Sequence, residues 1–294
     1  MNFNIEIPHS IDELVLTLNK FKNKNYRIGA GCTDLLMELK NNSASNLTII
    51  NISQVDDFNF NNVKLSNGNV DIGANTTAFK ICENENILEN YKTLHEAALN
   101  LASAQIRQVA TIGGNICTAS PSGDLICALM ALKAQLYIKN SLGENREISI
   151  LDFYKGVRKT DLKHGEFLSH LSLNSNNKNA FKTKSGFIKI GTRKSMECSV
   201  VSLAYHIQID KKGNIIETGL AFGASAPIVK YATRACDFLI GKKIDSLSKT
   251  EIDTFAKLVV EYASPIDDIR ATAWYRKQVL FNISKSILEK NIEK

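Results

Sequence analysis

Two runs of small residues constrain this chain more than anything else in it. Arg27-Ile28-Gly29-Ala30-Gly31-Cys32-Thr33-Asp34-Leu35 lies between a strand signal and a helix signal. Ala110-Thr111-Ile112-Gly113-Gly114-Asn115 comes later, with Ala119-Ser120-Pro121-Ser122-Gly123-Asp124 just behind it. Small side chains let a backbone approach a ligand closely, and successive N–H groups at a turn or helix start can hydrogen-bond phosphate oxygens. Thr33, Thr111 and Ser120 add hydroxyl donors. Neither run has P-loop order, and Gly29-x-Gly31 is followed by Asp34 where a G-x-G-x-x-G turn needs its third glycine. Each run by itself reads first as a tight turn that needs glycine. The pair suits a pyrophosphate held from both sides, so dinucleotide binding and plain turns both stay open at this point.

The surrounding pattern is regular. Residues 3–7 alternate as a half-buried strand does, and Ser10 with Glu13 forms a capping box before Ile11, Leu14, Val15 and Leu18. A strand at 26–28, a helix at 35–39 capped by Thr33, and a strand at 47–52 complete a strand–helix–strand–helix–strand unit. Residues 63–65 and 70–72 form a hairpin across Ser66-Asn67-Gly68. Helices are expected at 77–82, 93–103 and 125–132, and strands at 135–139 and 147–150. Arg107 reads as preceding a strand, Glu166 as a surface or turn residue, and Trp274 and Tyr275 as core or interface. The polar stretch LNSNNK at 173–178 marks a domain boundary. Three strands follow at 180–190, 199–210 and 215–222, then helices at about 232–239, 249–262 and 271–289. Strands followed by helices indicate a small α+β domain. The expected division is 1–175, in two parts of about 1–54 and 55–175, and then 176–294.

Composition closes off other classes. The chain has 294 residues, 44% of them hydrophobic, and a formal net charge of +6. That is ordinary for a globular protein of two domains. The basic residues are scattered, which argues against a nucleic-acid-binding face. The longest apolar run, 125–132, is far short of the roughly 18 residues of a membrane span. Cys32, Cys82, Cys117, Cys127, Cys198 and Cys236 show no C-x-x-C spacing, and His164 and His170 are not at helical spacing, so no metal site is expected. The N-terminal MNFNIEIPHS lacks a signal-peptide pattern, which leads to an expectation of free thiols in the cytoplasm. No Ser–His–Asp or Cys–His set has ordered spacing, so no catalytic side chain is assigned.

Residues 105–116, QIRQVATIGGNI, running on into Thr118-Ala119-Ser120-Pro121 and Asp124, closely resemble the FAD-binding domain of molybdenum hydroxylases. This is the xanthine dehydrogenase and carbon monoxide dehydrogenase flavoprotein family. Other segments agree in order and spacing: Ala30 to Leu35, Ile72-Gly73-Ala74 with Thr76-Thr77, Phe153-Tyr154, Arg158-Lys159-Thr160 and Gly165-Glu166-Phe167-Leu168. Lys189 with Arg193, and Ala221-Phe222-Gly223 with Ala226-Pro227, are similar to the family's C-terminal domain.

The resemblance implies an α+β fold: a two-part FAD-binding domain of the PCMH/VAO type, then a C-terminal α+β domain with a three-stranded antiparallel sheet and helices. It implies FAD in this chain, and 2Fe-2S clusters and a molybdopterin cofactor in small and large partner subunits. Electrons would pass from the iron–sulfur clusters through FAD to NAD or another acceptor. By matching positions, Ile28, Gly29, Ala30, Gly31, Cys32, Thr33, Asp34 and Leu35 wrap the pyrophosphate. Thr111, Ile112, Gly113, Gly114 and Asn115 approach from the other side. Asp124 bonds the ribityl or phosphate region, and Ala102, Phe167 and Leu168 line the flavin or adenine. Lys189 lies near the isoalloxazine, where its charge favours an anionic reduced flavin. Arg158 is a weaker carry-over. The likeness of Ala119-Ser120-Pro121 and Arg158-Lys159-Thr160 to xanthine dehydrogenases suggests a purine substrate for the complex.

Three departures stand out. Cys32 replaces a usual Gly, a change accommodated if its φ is negative. Leu101 stands where some relatives have an aromatic beside the flavin. No cysteine group matches the extra iron–sulfur cluster of some relatives. The alternatives are a non-catalytic assembly or regulatory partner that kept the fold, and a stand-alone flavin reductase.

Overall fold

The computed structural model describes residues 3–41, 46–66, 68–175, 179–193 and 196–289. Asn67 of the expected hairpin turn and residues 176–178 of the expected boundary lie outside them. The strands, in chain order, are β1 Phe3–Glu6, β2 Tyr26–Gly29, β3 Leu47–Asn51, β4 Val63–Ser66, β5 Asn69–Gly73, β6 Gln135–Asn140, β7 Asn145–Ser149, β8 Tyr154–Gly156, β9 Lys159–Thr160, β10 Glu166–Leu173, β11 Lys182–Ile190, β12 Val201–Ile209, β13 Ile215–Gly223 and β14 Lys230–Tyr231. Two compact units are present, and they interleave along the chain. One holds 1–84, 103–119 and 134–174; the other holds 85–102, 120–133 and 175–294.

The first unit begins with a parallel sheet in the order β1-β3-β2. Its first helix, Ile11–Lys20, starts where the Ser10 hydroxyl accepts from the Glu13 N–H at 3.1 Å. The Glu13 carboxylate reaches back to the N–H of His9 at 2.7 Å, one residue beyond the expected box. Leu14 and Leu18, one turn apart, are fully buried. A five-stranded antiparallel sheet follows in the order β4-β5-β10-β6-β7. Glu166 opens β10 and accepts from Arg146 Nε at 2.8 Å and Nη2 at 2.7 Å, while Arg146 Nη1 donates to Asp161 at 2.9 Å. Glu166 is therefore a strand residue that ties β10 to β7, correcting its reading as surface or turn.

The second unit has a four-stranded antiparallel sheet, β11-β12-β13-β14, where three strands were expected. The added strand has two residues, too few to show an alternation in sequence. Strand periodicity splits β13 between two faces. Leu220 and Phe222 join a core with Ala235, Phe255 and Leu280 from the helices Thr233–Leu239, Lys249–Val260 and Ala273–Ser286. Gly219 and Gly223 turn the other way, towards the segment that carries helix Asp124–Ala131. A Cβ on Gly219 would stand 1.8 Å from the Ala131 carbonyl oxygen, and one on Gly223 3.2 Å from that of Pro121. Between them, the Ala221 carbonyl accepts from the Cys127 thiol at 3.3 Å. Every residue of that helix is buried, Asp124 included.

Local chemistry changes several boundaries. The helix expected over 93–103 runs Lys92–Leu99. Ala102 then takes a φ of 43°, and Ser103 caps a separate helix, Ala104–Val109. Arg107 lies in that helix, not before a strand. The TIGGN run is the start of helix Ile112–Thr118, with Thr111 as its cap. Trp274 and Tyr275 are exposed on helix Ala273–Ser286, so neither is a core residue. Among the described residues, no helix is long and apolar enough to cross a membrane.

Gly219→Ala forces the helix and strand apart and lowers unfolding free energy by about 3 kcal/mol, read by denaturant unfolding. Gly156→Ala, whose Cβ would meet its nearest atom at 3.9 Å, is the control and stays within about 0.5 kcal/mol. The hydrogen bonds of Arg146 hold the Glu166 carboxyl below its ordinary value. A lowered folded-state value means that its stabilising contribution is complete above the unfolded value of about 4.3 and is lost as pH falls through the folded one. Glu166→Gln flattens that acid limb, measured by unfolding from about pH 6 to about pH 3.

Candidate functional site

The first small-residue run leaves β2 at Gly29 and enters helix Leu35–Asn41. Its course is set from both sides. Arg27 Nη1 and Nη2 grip Glu38 Oε1 and Oε2 at 2.6 and 3.1 Å, a bidentate brace from strand to helix. This holds the Glu38 carboxyl below its ordinary value, with the charge of Arg158 adding to the effect. Gly31 sits against the chain that precedes the second run: a Cβ there would lie 1.8 Å from the Val109 carbonyl oxygen. The two small-residue runs thus meet within the first unit, which the sequence alone left open.

They meet with different donors to offer. The backbone N–H groups of Ala30, Gly31, Cys32, Thr33 and Asp34 find no protein acceptor among the described residues. They form a run of available donors suited to an anion. In the second run the amides of Ile112 to Asn115 are occupied. Ile112 N–H donates to the Thr76 carbonyl at 2.9 Å and Gly113 N–H to that of Ala74 at 2.8 Å. Gly114 N–H donates to Thr111 Oγ1 at 3.0 Å and Asn115 N–H to the Thr111 carbonyl at 3.0 Å. The first run therefore keeps backbone donors that could meet a phosphate, whereas in the second run those of Ile112 to Asn115 already have protein acceptors. There the helix cap and the strand end consume the N–H groups, and Gly113 serves close packing on Ala74. What the second run does offer is Asn115, whose buried side-chain oxygen has no protein partner. A buried amide oxygen without a donor is an acceptor for a ligand hydroxyl or amine. A bound dinucleotide has such groups, so the residues present fit FAD.

Cys32 has a φ of 56°, not the negative φ that would accommodate a side chain easily. The residue occupies the left-handed region that glycine enters freely. Its thiol donates to the Ala30 carbonyl at 3.4 Å, and burial pushes the thiol pKa up. Arg158, also at positive φ, is exposed, and its N–H donates to the Ala119 carbonyl at 3.3 Å. Leu35 is buried in a small cluster with Leu39, Leu47 and Ile49. Phe167 and Leu168 are buried in β10, with Phe167 edge-on to Phe60 at 6.2 Å between ring centres. These three serve the core of the first unit.

Ala102, Asp124 and Lys189 belong to the second unit. Asp124 opens its helix and is buried under Lys189, with side-chain exposures of 4% and 13%. Lys189 Nζ donates to Asp124 Oδ2 at 2.5 Å and to the Asn100 carbonyl at 3.0 Å. Burial pushes the Asp124 carboxyl up, against the opposing pull of Lys189 and of the Ser199 hydroxyl. Lys189 also lines a cavity of about 580 Å³ together with Asn100, Gly191, Thr192, Arg193 and Glu197. Ser199 and Asn100 were not singled out from sequence. Their roles arise from chain crossings that have no local signature. A second cavity, of about 560 Å³, lies in the first unit beside Asp56, Asp57, Asp71 and His170 and includes none of the expected site residues.

Comparisons with known proteins place the whole chain in a family. Residues 1–173 match the FAD binding domain in molybdopterin dehydrogenase, and residues 187–290 match the CO dehydrogenase flavoprotein C-terminal domain. The glyceraldehyde dehydrogenase medium chain of Sulfolobus acidocaldarius is 31% identical over 88% of each chain. The nicotinate dehydrogenase FAD-subunit of Eubacterium barkeri is 23% identical over 97% of this chain and 95% of its own. A carbon monoxide dehydrogenase chain from Hydrogenophaga pseudoflava has the same fold, with a TM-score of 0.88 at 22% identity over 97% of this chain and 96% of that one. The chain belongs to the FAD-binding family of molybdopterin dehydrogenases. It is the FAD-binding component of an oxidoreductase, with the expected two-part α+β architecture.

Gly31→Ala pushes the first run off the Val109 carbonyl and lowers unfolding free energy by about 2 kcal/mol. Cys32→Gly releases the left-handed strain while loosening the unfolded chain, so the net change is below about 1 kcal/mol. Cys32→Val, β-branched at positive φ, destabilises by about 2 kcal/mol. Chemical denaturation of the three variants checks the order.

Proposed function

We propose that this chain is the electron-transfer subunit of a heteromeric molybdenum hydroxylase in the cytoplasm. It receives electrons from iron–sulfur clusters of a small partner subunit and delivers them to NAD or another acceptor. Substrate choice, a purine or another heterocycle or an aldehyde, belongs to a large molybdenum-binding partner. The names of the relatives support the subunit role: one is a medium chain, another an FAD-subunit.

FAD, when bound, supplies the redox centre; the protein supplies position and electrostatics. The observation that supports the reading best is the run of five amides from Ala30 to Asp34 that have no acceptor among the described residues. They hold the pyrophosphate, with the Thr33 hydroxyl as a further donor. Asn115 accepts from the nucleotide with its orphaned oxygen. Lys189, held by Asp124, contributes a fixed positive charge for the flavin ring. No side chain of this chain is assigned to bond making.

The test is an absorption spectrum of the purified chain, followed by acid release and identification of the nucleotide. Bound or readily reconstituted FAD is the expected result, together with co-purification of iron–sulfur and molybdenum subunits from the native source. A native complex without flavin overturns the reading in favour of a non-catalytic relative. A flavin-loaded chain fully active without partners points to a stand-alone reductase.

A further inference from the structure

The ion pair of Asp124 and Lys189 has a third member. The Ser199 hydroxyl donates to Asp124 Oδ1 at 2.9 Å, while Lys189 Nζ occupies Oδ2. Three separate elements converge here: Asp124 opens a helix, Lys189 lies near the end of β11, and Ser199 stands two residues before β12. Ser199 is 2% exposed. Its hydroxyl is not needed to anchor the backbone. Next door, Val200 N–H donates to the Ile190 carbonyl at 2.8 Å, and the Val200 carbonyl accepts from Arg276 Nη1 at 2.7 Å.

The geometry gives that hydroxyl another task. A carboxylate gripped through one oxygen can turn about its side-chain bonds; gripped through both, its plane is fixed. Lys189 is a flexible four-carbon stem whose ammonium is located by its acceptors. Two of its three N–H donors are taken, by Asp124 and by the Asn100 carbonyl. The third has no acceptor among the described residues, on a side chain that lines the 580 Å³ cavity.

We propose that Ser199 is a positioning residue: it fixes the plane of Asp124, and through Asp124 the ammonium of Lys189, so that the remaining N–H is held for an electron-rich acceptor. That the acceptor is the flavin rests on the function proposed above. The positioning itself does not, and the two are separable by experiment.

The first measurement uses the full chain without flavin. Competitive acylation with acetic anhydride, read by peptide mass spectrometry, reports how firmly the Lys189 amine is held. A buried hydrogen bond to a charged group contributes about 1.5 kcal/mol or more, so Ser199→Ala is expected to raise Lys189 labelling by about tenfold. Ser199→Thr keeps the hydroxyl and restores slow labelling. If the alanine variant does not fold, Ser199→Cys, near in volume and a weak donor, replaces it. In an Asp124→Asn background, Ser199→Ala adds nothing further. The second measurement loads FAD: Ser199→Ala weakens FAD binding severalfold and shifts the flavin potential, with both values recovered in Ser199→Thr. Unchanged Lys189 labelling in Ser199→Ala, or an undiminished effect in the Asp124→Asn background, overturns the proposal. Labelling that responds as expected in a chain that takes up no FAD supports the positioning and removes the flavin reading instead.

Discussion

The close approach of helix Asp124–Ala131 to β13 is the constraint on which the second unit depends. It exists because Gly219 leaves no Cβ between strand and helix, so the helix end comes into contact with the strand backbone. The opposite face of the same strand carries Leu220 and Phe222 into a large-residue core. One strand therefore holds a thin interface on one side and a thick one on the other. The thin side delivers Asp124, the first residue of the helix, to a depth where a carboxylate persists only with a partner. Lys189 and Ser199 are the partners. The charge pair is thus a consequence of backbone packing, and its position follows from glycine in a strand.

The first unit solves a different problem with the same residue type. Gly31 lets the first run lie against the Val109 carbonyl, and the amides of Ala30 to Asp34 find no acceptor among the described residues. The glycines of the second run do the reverse. Gly113 packs on Ala74, and its N–H closes onto that residue's carbonyl. Two similar-looking runs therefore divide the work: one presents donors, and the other seats a strand end and presents Asn115. Cys32 shows that a left-handed conformation is retained here without glycine, with a thiol hydrogen bond to Ala30 as local compensation.

Much of this was legible in sequence, because local periodicity and caps act over a few residues. The parallel β1–β3 unit, the hairpin of β4 and β5, the strands β11 to β13 and the C-terminal helices all have local signatures in apolar spacing. The family likeness extended that reading to FAD and to an α+β architecture. Misreadings fall where a short local signal competed with another. Ser103 begins a new helix where apolar spacing carried the previous one onward. Two-residue β14 exists because β13 offers it an edge to pair with.

The sequence by itself determined which residue types stand at the candidate site: the small-residue runs, Asn115, Asp124 and Lys189. It determined the strand and helix that flank the first run, the helix that Asp124 opens and the strand that carries Lys189, since such elements depend on neighbours within a turn or a strand; the helix that carries Asn115 was not among its expectations. Tertiary structure decided which backbone donors remain available, because an amide is free or occupied according to what packs beside it. It also decided that Ser199, Asn100, Asp124 and Lys189 form one set. These residues span a hundred positions, and only the stacking of a helix on a glycine-faced sheet brings their side chains and carbonyls within hydrogen-bond reach.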